Sequence, residues 1–185
     1  MRIGVKKFKI HNRMDIYFTT EERYIQAVEE LKYGETAKSL RLFNELLLAN
    51  PSYARVYYHL GIIHYHYIND YQAAGYYFSQ CIELEPNFPD VYQEFMQLLV
   101  FLNMTKKAKQ TGITALEVPG TDRAFIYQQL GLLEEKNRQW KSAIDAYQKA
   151  FTYTTEKEQA DDLKEAITRV KDKIGMEAKF VYSCS

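Results

Sequence analysis

The sequence predicts an all-α chain: an α-solenoid of about four helical hairpins closed by a C-terminal capping helix. Three observations predict it. Apolar residues recur at i, i+3, i+4 and i+7, the spacing of one face of an α-helix. A unit of two such helices, a polar turn and a stop signal returns at intervals of about 34 residues. Runs that alternate apolar and polar residues, as a half-buried strand would, are few.

Residues 1–18 stand apart from this pattern. Arg2, Lys6, Lys7, Lys9 and Arg13 precede the first acid, Asp15. The segment reads as a basic arm for an acidic partner or an anionic lipid surface, or as a solvated tail. The first unit opens at Thr19, which with Glu22 has the spacing of a capping box. Tyr24, Ala27, Val28 and Leu31 form its first stripe, and Gly34 turns the chain. The second helix carries Leu40, Phe43, Leu46 and Leu47 and stops at Asn50-Pro51.

The second unit is the clearest. Tyr57, Leu60, Gly61 and His64 share a helix face, and Asp70 after Asn69 caps the next helix. That helix carries Tyr71, Ala74, Phe78, Cys81 and Ile82, and Pro86 ends it because proline has no N–H to continue a helix. One extra residue stands before Asp70. In the third unit Val91, Phe95, Leu98, Leu99 and Leu102 predict a first helix. Thr105 is the expected cap of the second, which carries Ala108, Ile113, Ala115 and Leu116. Gly112 lies mid-helix, at a cost of about 1 kcal/mol relative to alanine. This helix is therefore predicted to be the weakest.

The fourth unit carries Tyr127, Leu130, Gly131, Trp140, Ala143, Tyr147 and Ala150. Thr155 and Glu158 have the spacing of a second capping box. A last helix follows, with Ala160, Leu163, Ile167, Val170 and Ile174 on one stripe and charge elsewhere. Gly175 is the expected stop. The predicted organisation is an N-terminal arm over 1–18, a solenoid with its cap over 19–174, and a tail over 175–185.

Tyr57, Leu60-Gly61, His64, Ala74, Phe78 and Pro86, and again Tyr127, Leu130-Gly131, Ala143, Tyr147 and Ala150, resemble the tetratricopeptide repeat (TPR). The resemblance covers about residues 19–154, with the cap to 174. It implies stacked hairpins whose first helices line a concave groove. The positions it assigns to that groove are Tyr58, Ile62 and Tyr65, then Gln93, Gln97 and Val100, then Gln128, Leu132 and Glu135. The first repeat adds Ile25 and Glu29, or Tyr24 and Val28 in the alternative register. TPRs that bind chaperone tails hold a C-terminal carboxylate with a Lys, Asn, Asn, Lys, Arg set. This chain offers Ile25, Glu29, Ile62, Gln93 and Gln97 at those places, so a carboxylate clamp is not expected, for lack of a cation to pair the anion.

Composition bounds the rest. The chain has 185 residues, 46% of them hydrophobic, enough for an ordinary folded domain. Lysine plus arginine and aspartate plus glutamate each number 24, so a strongly basic nucleic-acid face is not expected. No apolar run is long enough to span a membrane. No secretory leader is evident, and two cysteines suit a reducing compartment, so a cytoplasmic location is expected. His11, His59, His64 and His66 lack the i, i+4 spacing of a helical metal pair. Cys81 reads as a packed thiol, and Glu134-Glu135 and Asp161-Asp162 read as solvated surface. No metal, cofactor or catalytic site is expected. The function these readings support is a non-catalytic adaptor that binds a protein or peptide segment in its groove. The alternative is a structural subunit that uses its convex face or tails, with a membrane surface among the assemblies it could join.

Overall fold

The computed structural model describes residues 19–183, so the arm over 1–18 lies outside the described residues. Those residues form four helical hairpins and a last helix, with no strand among them. Hairpin one is α1 (Thr20–Lys32) and α2 (Thr36–Ala49). Hairpin two is α3 (Ala54–Ile62), prolonged by a π-helical turn (Ile63–Ile68), and α4 (Tyr71–Leu84). Hairpin three is α5 (Pro89–Phe101) and α6 (Thr105–Glu117); hairpin four is α7 (Arg123–Lys136) and α8 (Trp140–Tyr153). The last helix, α9 (Lys157–Ser183), packs on α8.

Local chemistry sets the helix ends. At α1 the capping box is complete: the Glu22 N–H donates to Thr19 Oγ1 (3.1 Å), and the Thr19 N–H donates to Glu22 Oε2 (2.7 Å). Asp70 accepts from the Ala73 N–H (3.0 Å) and starts α4. Asp122 does the same for Phe125 (3.0 Å) at α7. Pro89 occupies the first turn of α5, where its missing N–H costs nothing. The extra residue before Asp70 is absorbed by the π turn, which widens the helix by one residue without breaking it.

The core runs from hairpin to hairpin, as a solenoid requires. Phe43 and Leu46 meet Val56, Leu60 and Ile63 between hairpins one and two. Phe78, Phe95, Met96, Leu98 and Leu133 belong to the cluster that joins hairpins two to four. Tyr147 and Ala150 meet Leu163 and Val170 under α9. Ala74 and Ala143 are fully buried. Two glycines let the helices of a hairpin close. A Cβ on Gly61 would overlap the Phe78 ring, and one on Gly131 would stand 2.6 Å from the Tyr147 ring. A tyrosine strap also repeats: the Tyr57 hydroxyl donates to the Pro51 carbonyl (2.9 Å), and Tyr92 one repeat later donates to Pro86 (2.7 Å).

Several expectations need correction. Thr105 is the first residue of α6 rather than its cap, and its hydroxyl accepts from Asn137 Nδ2 (3.2 Å). Ile113 is 56% exposed, because α6 packs through the small residues Ala108, Gly112 and Ala115 instead. Leu102 follows the end of α5 and is exposed. The Thr155–Glu158 box does not form: α9 starts at Lys157, and the Thr154 hydroxyl binds the Glu156 N–H and Gln159. Gly175 does not stop α9, which runs on to Ser183. A single interior glycine costs only about 1 kcal/mol, too little to end a helix that no proline follows.

Candidate binding groove

The candidate site is built on α3, the π turn and α5. Tyr24 packs against Phe43 and Tyr53 in the core, with ring centroids 6.1 and 5.2 Å away. That leaves Ile25 and Glu29 exposed and settles the register of the first repeat. On α3, Tyr58 is half-buried, its ring edge-on to Phe88 at 5.0 Å. Ile62 is also half-buried and bridges two core clusters. Tyr65 lies in the π turn, where its ring contacts Tyr71 and His66 at 6.1 and 4.3 Å.

Glu94 of α5 meets the π turn. His66 Nε2 lies 2.8 Å from Glu94 Oε2, so the imidazole N–H donates to the carboxylate and ties the π turn to α5. Burial pushes the Tyr58 hydroxyl well above the usual tyrosine range, and the charges of Glu94 and Asp90 add to it. Burial raises Tyr65 as well, again with Glu94 as the leading charge. For both phenols Glu94 is the leading charge. Both therefore stay protonated at neutral pH and keep a donor to offer. Gln93 and Gln97 flank Glu94 along α5, each half-buried.

The remaining predicted positions fall elsewhere. Val100 is 1% exposed and belongs to the core, because α5 is packed by α4, α6 and α7 at once and its apolar stripe is wider than a simple face. It presents no surface to a guest. Gln128 and Leu132 line a separate cleft of about 290 Å³ between α7 and α9, with Gln129, Tyr147, Ala166 and Arg169 on its walls. Glu135 is neither groove lining nor solvated surface. It is buried, and its oxygens accept from Arg169, Lys173 and Tyr147. The Arg169 hydrogen bonds, helped by Lys173 and Tyr147 and opposed by burial, hold its carboxyl down at about 2.

Sequence reasoning missed His66 and Glu94. The one signal available was the extra residue before Asp70, which rotates the end of α3 and carries His66 toward α5. Cys81 is buried, and burial with the charge of Glu85 pushes its thiol up to about 12, where it stays protonated. Among the described residues no group of three or more histidines, cysteines and carboxylates is gathered for a metal. No helix among them is long and apolar enough to cross a membrane.

Stacked hairpins, a glycine against an aromatic ring within two of them, and a closing amphipathic helix define a tetratricopeptide-repeat solenoid. Solved structures of that architecture are similar along most of the chain. A MamA structure from Desulfovibrio magneticus RS-1 is 21% identical, with a TM-score of 0.64 over 83% of this chain and 93% of that one. YrrB, described as a TPR protein with an unusual peptide-binding site, is 17% identical, with a TM-score of 0.64 over 87% and 92%. PilW, a type IV pilus biogenesis factor, is 13% identical, with a TM-score of 0.65 over 83% and 78%. No family model matches the chain, and no curated protein does. These likenesses carry the fold.

Proposed function

We propose that the protein is a non-catalytic adaptor that binds a peptide segment of a protein partner along α3, the π turn and α5. The observation that carries the reading is the row of half-buried Tyr58, Ile62 and Tyr65 on α3 and the π turn, which the His66–Glu94 hydrogen bond ties to α5. Half-exposed tyrosines offer a large apolar body with a polar tip, the composition favoured at binding hot spots. Glu94, Gln93 and Gln97 supply acceptors, and the two glutamines also supply donors for a guest backbone. The centre of the site is acidic, so the guest it suits carries apolar side chains and a cation rather than a free carboxylate. Gln128 and Leu132 extend the surface toward α9 in a second cleft. The likeness to YrrB, whose description names a peptide-binding site, supports the class of guest. The cytoplasmic reading rests on the sequence alone.

Selection of peptides from a random display library on the full chain tests this. Enriched peptides are expected to combine aromatic or aliphatic residues with lysine or arginine. Their affinity should fall by tenfold or more, about 1.4 kcal/mol, in Glu94→Arg and in Tyr65→Ala, while melting temperature stays near the wild type in Glu94→Arg. Peptides that bind all three proteins equally would overturn the assignment of the groove.

A further inference from the structure

The turns that join the two helices of each hairpin lie along one edge of a solenoid. In hairpins two to four they are in contact. The Tyr71 ring meets that of Phe101 at a tilt, with centroids 5.0 Å apart, linking the second turn to the third. Asn137 Nδ2 donates to Asn103 Oδ1 (3.3 Å), and Lys136 Nζ to the Val100 carbonyl (2.8 Å), linking the fourth turn to the third. The edge is therefore one continuous surface.

Along it, exposed apolar tips alternate with cations. Tyr67 and Ile68, carried out by the π turn, and Phe101, Leu102 and Met104 are between 39% and 53% exposed. Beside them stand Lys106, Arg138 and Lys141, which enter no ion pair among the described residues. Lys107 and Lys136 add to the charge; the exposed acids beside these turns are Asp70, occupied as the cap of α4, and Glu177 of α9, which accepts from Trp140 Nε1 (2.7 Å). An open hollow of about 570 Å³ lies next to the apolar tips, lined by Met104, Thr105, Lys106, Lys107 and Gln110. The opposite edge carries Glu85, Asp90, Glu117, Asp122, Glu156 and Glu158 against Arg55, Arg123 and Lys157, a net negative charge. A chain of zero formal charge is thus polarised from edge to edge.

We infer that this edge docks on an anionic lipid surface. Tyr67, Ile68, Phe101, Leu102 and Met104 enter the headgroup–acyl boundary, Lys106, Arg138 and Lys141 pair lipid phosphates and carboxylates, and the hollow beside Met104 seats a headgroup. Charge complementarity and shape favour lipid over protein. The apolar side chains stand on convex turn tips, whereas anchors of a protein interface fill pockets. Aromatic and aliphatic tips interspersed with free cations are the composition that holds an interfacial segment on an anionic bilayer. The acidic far edge orients the molecule, and the groove on α3 and α5 stays open to a guest.

Vesicle flotation of the full chain tests the inference, with vesicles of phosphatidylcholine alone and of phosphatidylcholine with phosphatidylserine at roughly 3:1. The wild type is expected to float with the mixed vesicles, weakly with the neutral ones, and less at high salt. Ile68→Ser/Leu102→Ser/Met104→Ser and Lys106→Glu/Arg138→Glu should each lower partitioning to mixed vesicles by tenfold or more, with melting temperatures near the wild type. If the serine variant is unstable, the charge variant carries the test. Equal flotation of all three proteins would place any lipid binding outside this edge and overturn the inference. So would a loss seen only in the charge variant, which means adsorption without insertion. A lipid-free dimer of the wild type that the serine variant dissolves would show that a second copy, and not lipid, covers the tips.

Discussion

Arg169 and Glu135 meet through two parallel hydrogen bonds, Nε to Oε1 at 2.9 Å and Nη2 to Oε2 at 2.8 Å. Lys173 adds a third at 2.7 Å and the Tyr147 hydroxyl a fourth at 2.8 Å. One buried carboxylate thereby ties α7, α8 and α9 together. The last helix of a stack has a neighbour on one side only, so a bidentate charge-assisted bond matters more here than on an internal helix.

The carboxyl of Glu135 is held at about 2, below its ordinary 4.5. A depressed folded-state value contributes stability that is present above about pH 4.5 and is lost as pH falls toward 2, up to about 3 kcal/mol in all. Glu135→Gln should lower the melting temperature at pH 7 and flatten its decline over that window. Its cost should stay near 1–3 kcal/mol, because Arg169 and Lys173 are half-exposed and return to water. Parallel melting profiles for wild type and variant would show that the bond does not hold α9.

Gly61 and Gly175 make a contrasting pair. A methyl group on Gly61 must displace the Phe78 ring, whereas one on Gly175 meets nothing within 4 Å. Gly61→Ala is expected to destabilise by about 1–3 kcal/mol through overpacking. Gly175→Ala should stabilise α9 by up to about 1 kcal/mol, the ordinary preference of a helix interior for alanine. Denaturant midpoints of the two variants should therefore move in opposite directions.

The fold was legible because repetition made it so. Gly61, Ala74 and Phe78 have counterparts in Gly131, Ala143 and Tyr147: each glycine lies against the aromatic ring, and both alanines are fully buried. The third repeat was harder to read for a physical reason. Met96, fully buried, stands where repeats two and four have glycine, and Gly112 stands where they have an aromatic, so large and small have changed places. Gly112 looked like a defect in a helix; instead Leu130 closes to 3.1 Å of where its Cβ would be. The site was less legible. Val100 and Glu135 occupy groove positions by spacing, but their burial depends on how many helices surround α5 and on where α9 folds back. Neither is a local property of the sequence.

The second helix of the third repeat is still expected to open first. The residues α6 buries are Ala108, Gly112 and Ala115, which remove little apolar area from water, and Ile113 stays outside. The corresponding helix α4 buries Ala74, Phe78 and Cys81. Local opening of a thinly packed unit leaves its neighbours folded in a one-dimensional array. Hydrogen exchange should release the amides of 109–114 before those of 78–82, and the reverse order would refute the ranking.

A final expectation concerns the left-handed residue that turns each hairpin. Gly34, Asn69, Asn103 and Arg138 hold positive φ at equivalent places, with values of 84°, 61°, 53° and 58°. Glycine and asparagine tolerate this region, but an ordinary side chain there costs about 1–2 kcal/mol, because its Cβ crowds the carbonyl oxygen. A Cβ on Gly34 would meet nothing within 4 Å, so Gly34→Ala tests the torsion without any packing clash. It should destabilise by about 1 kcal/mol. Arg138→Gly should stabilise by a similar amount, a rise of roughly 2–4 °C in melting temperature for a chain of this size. The arginine is then kept at a cost, and its unpaired guanidinium on the turn edge gives the reason. If that edge docks on anionic lipid, Arg138→Gly gains stability and loses vesicle binding together, as expected where a strained residue serves function. Thermal melts and vesicle flotation on the same sample separate the two effects: a stabilised variant that still floats like the wild type would leave the strain at Arg138 without a functional cause.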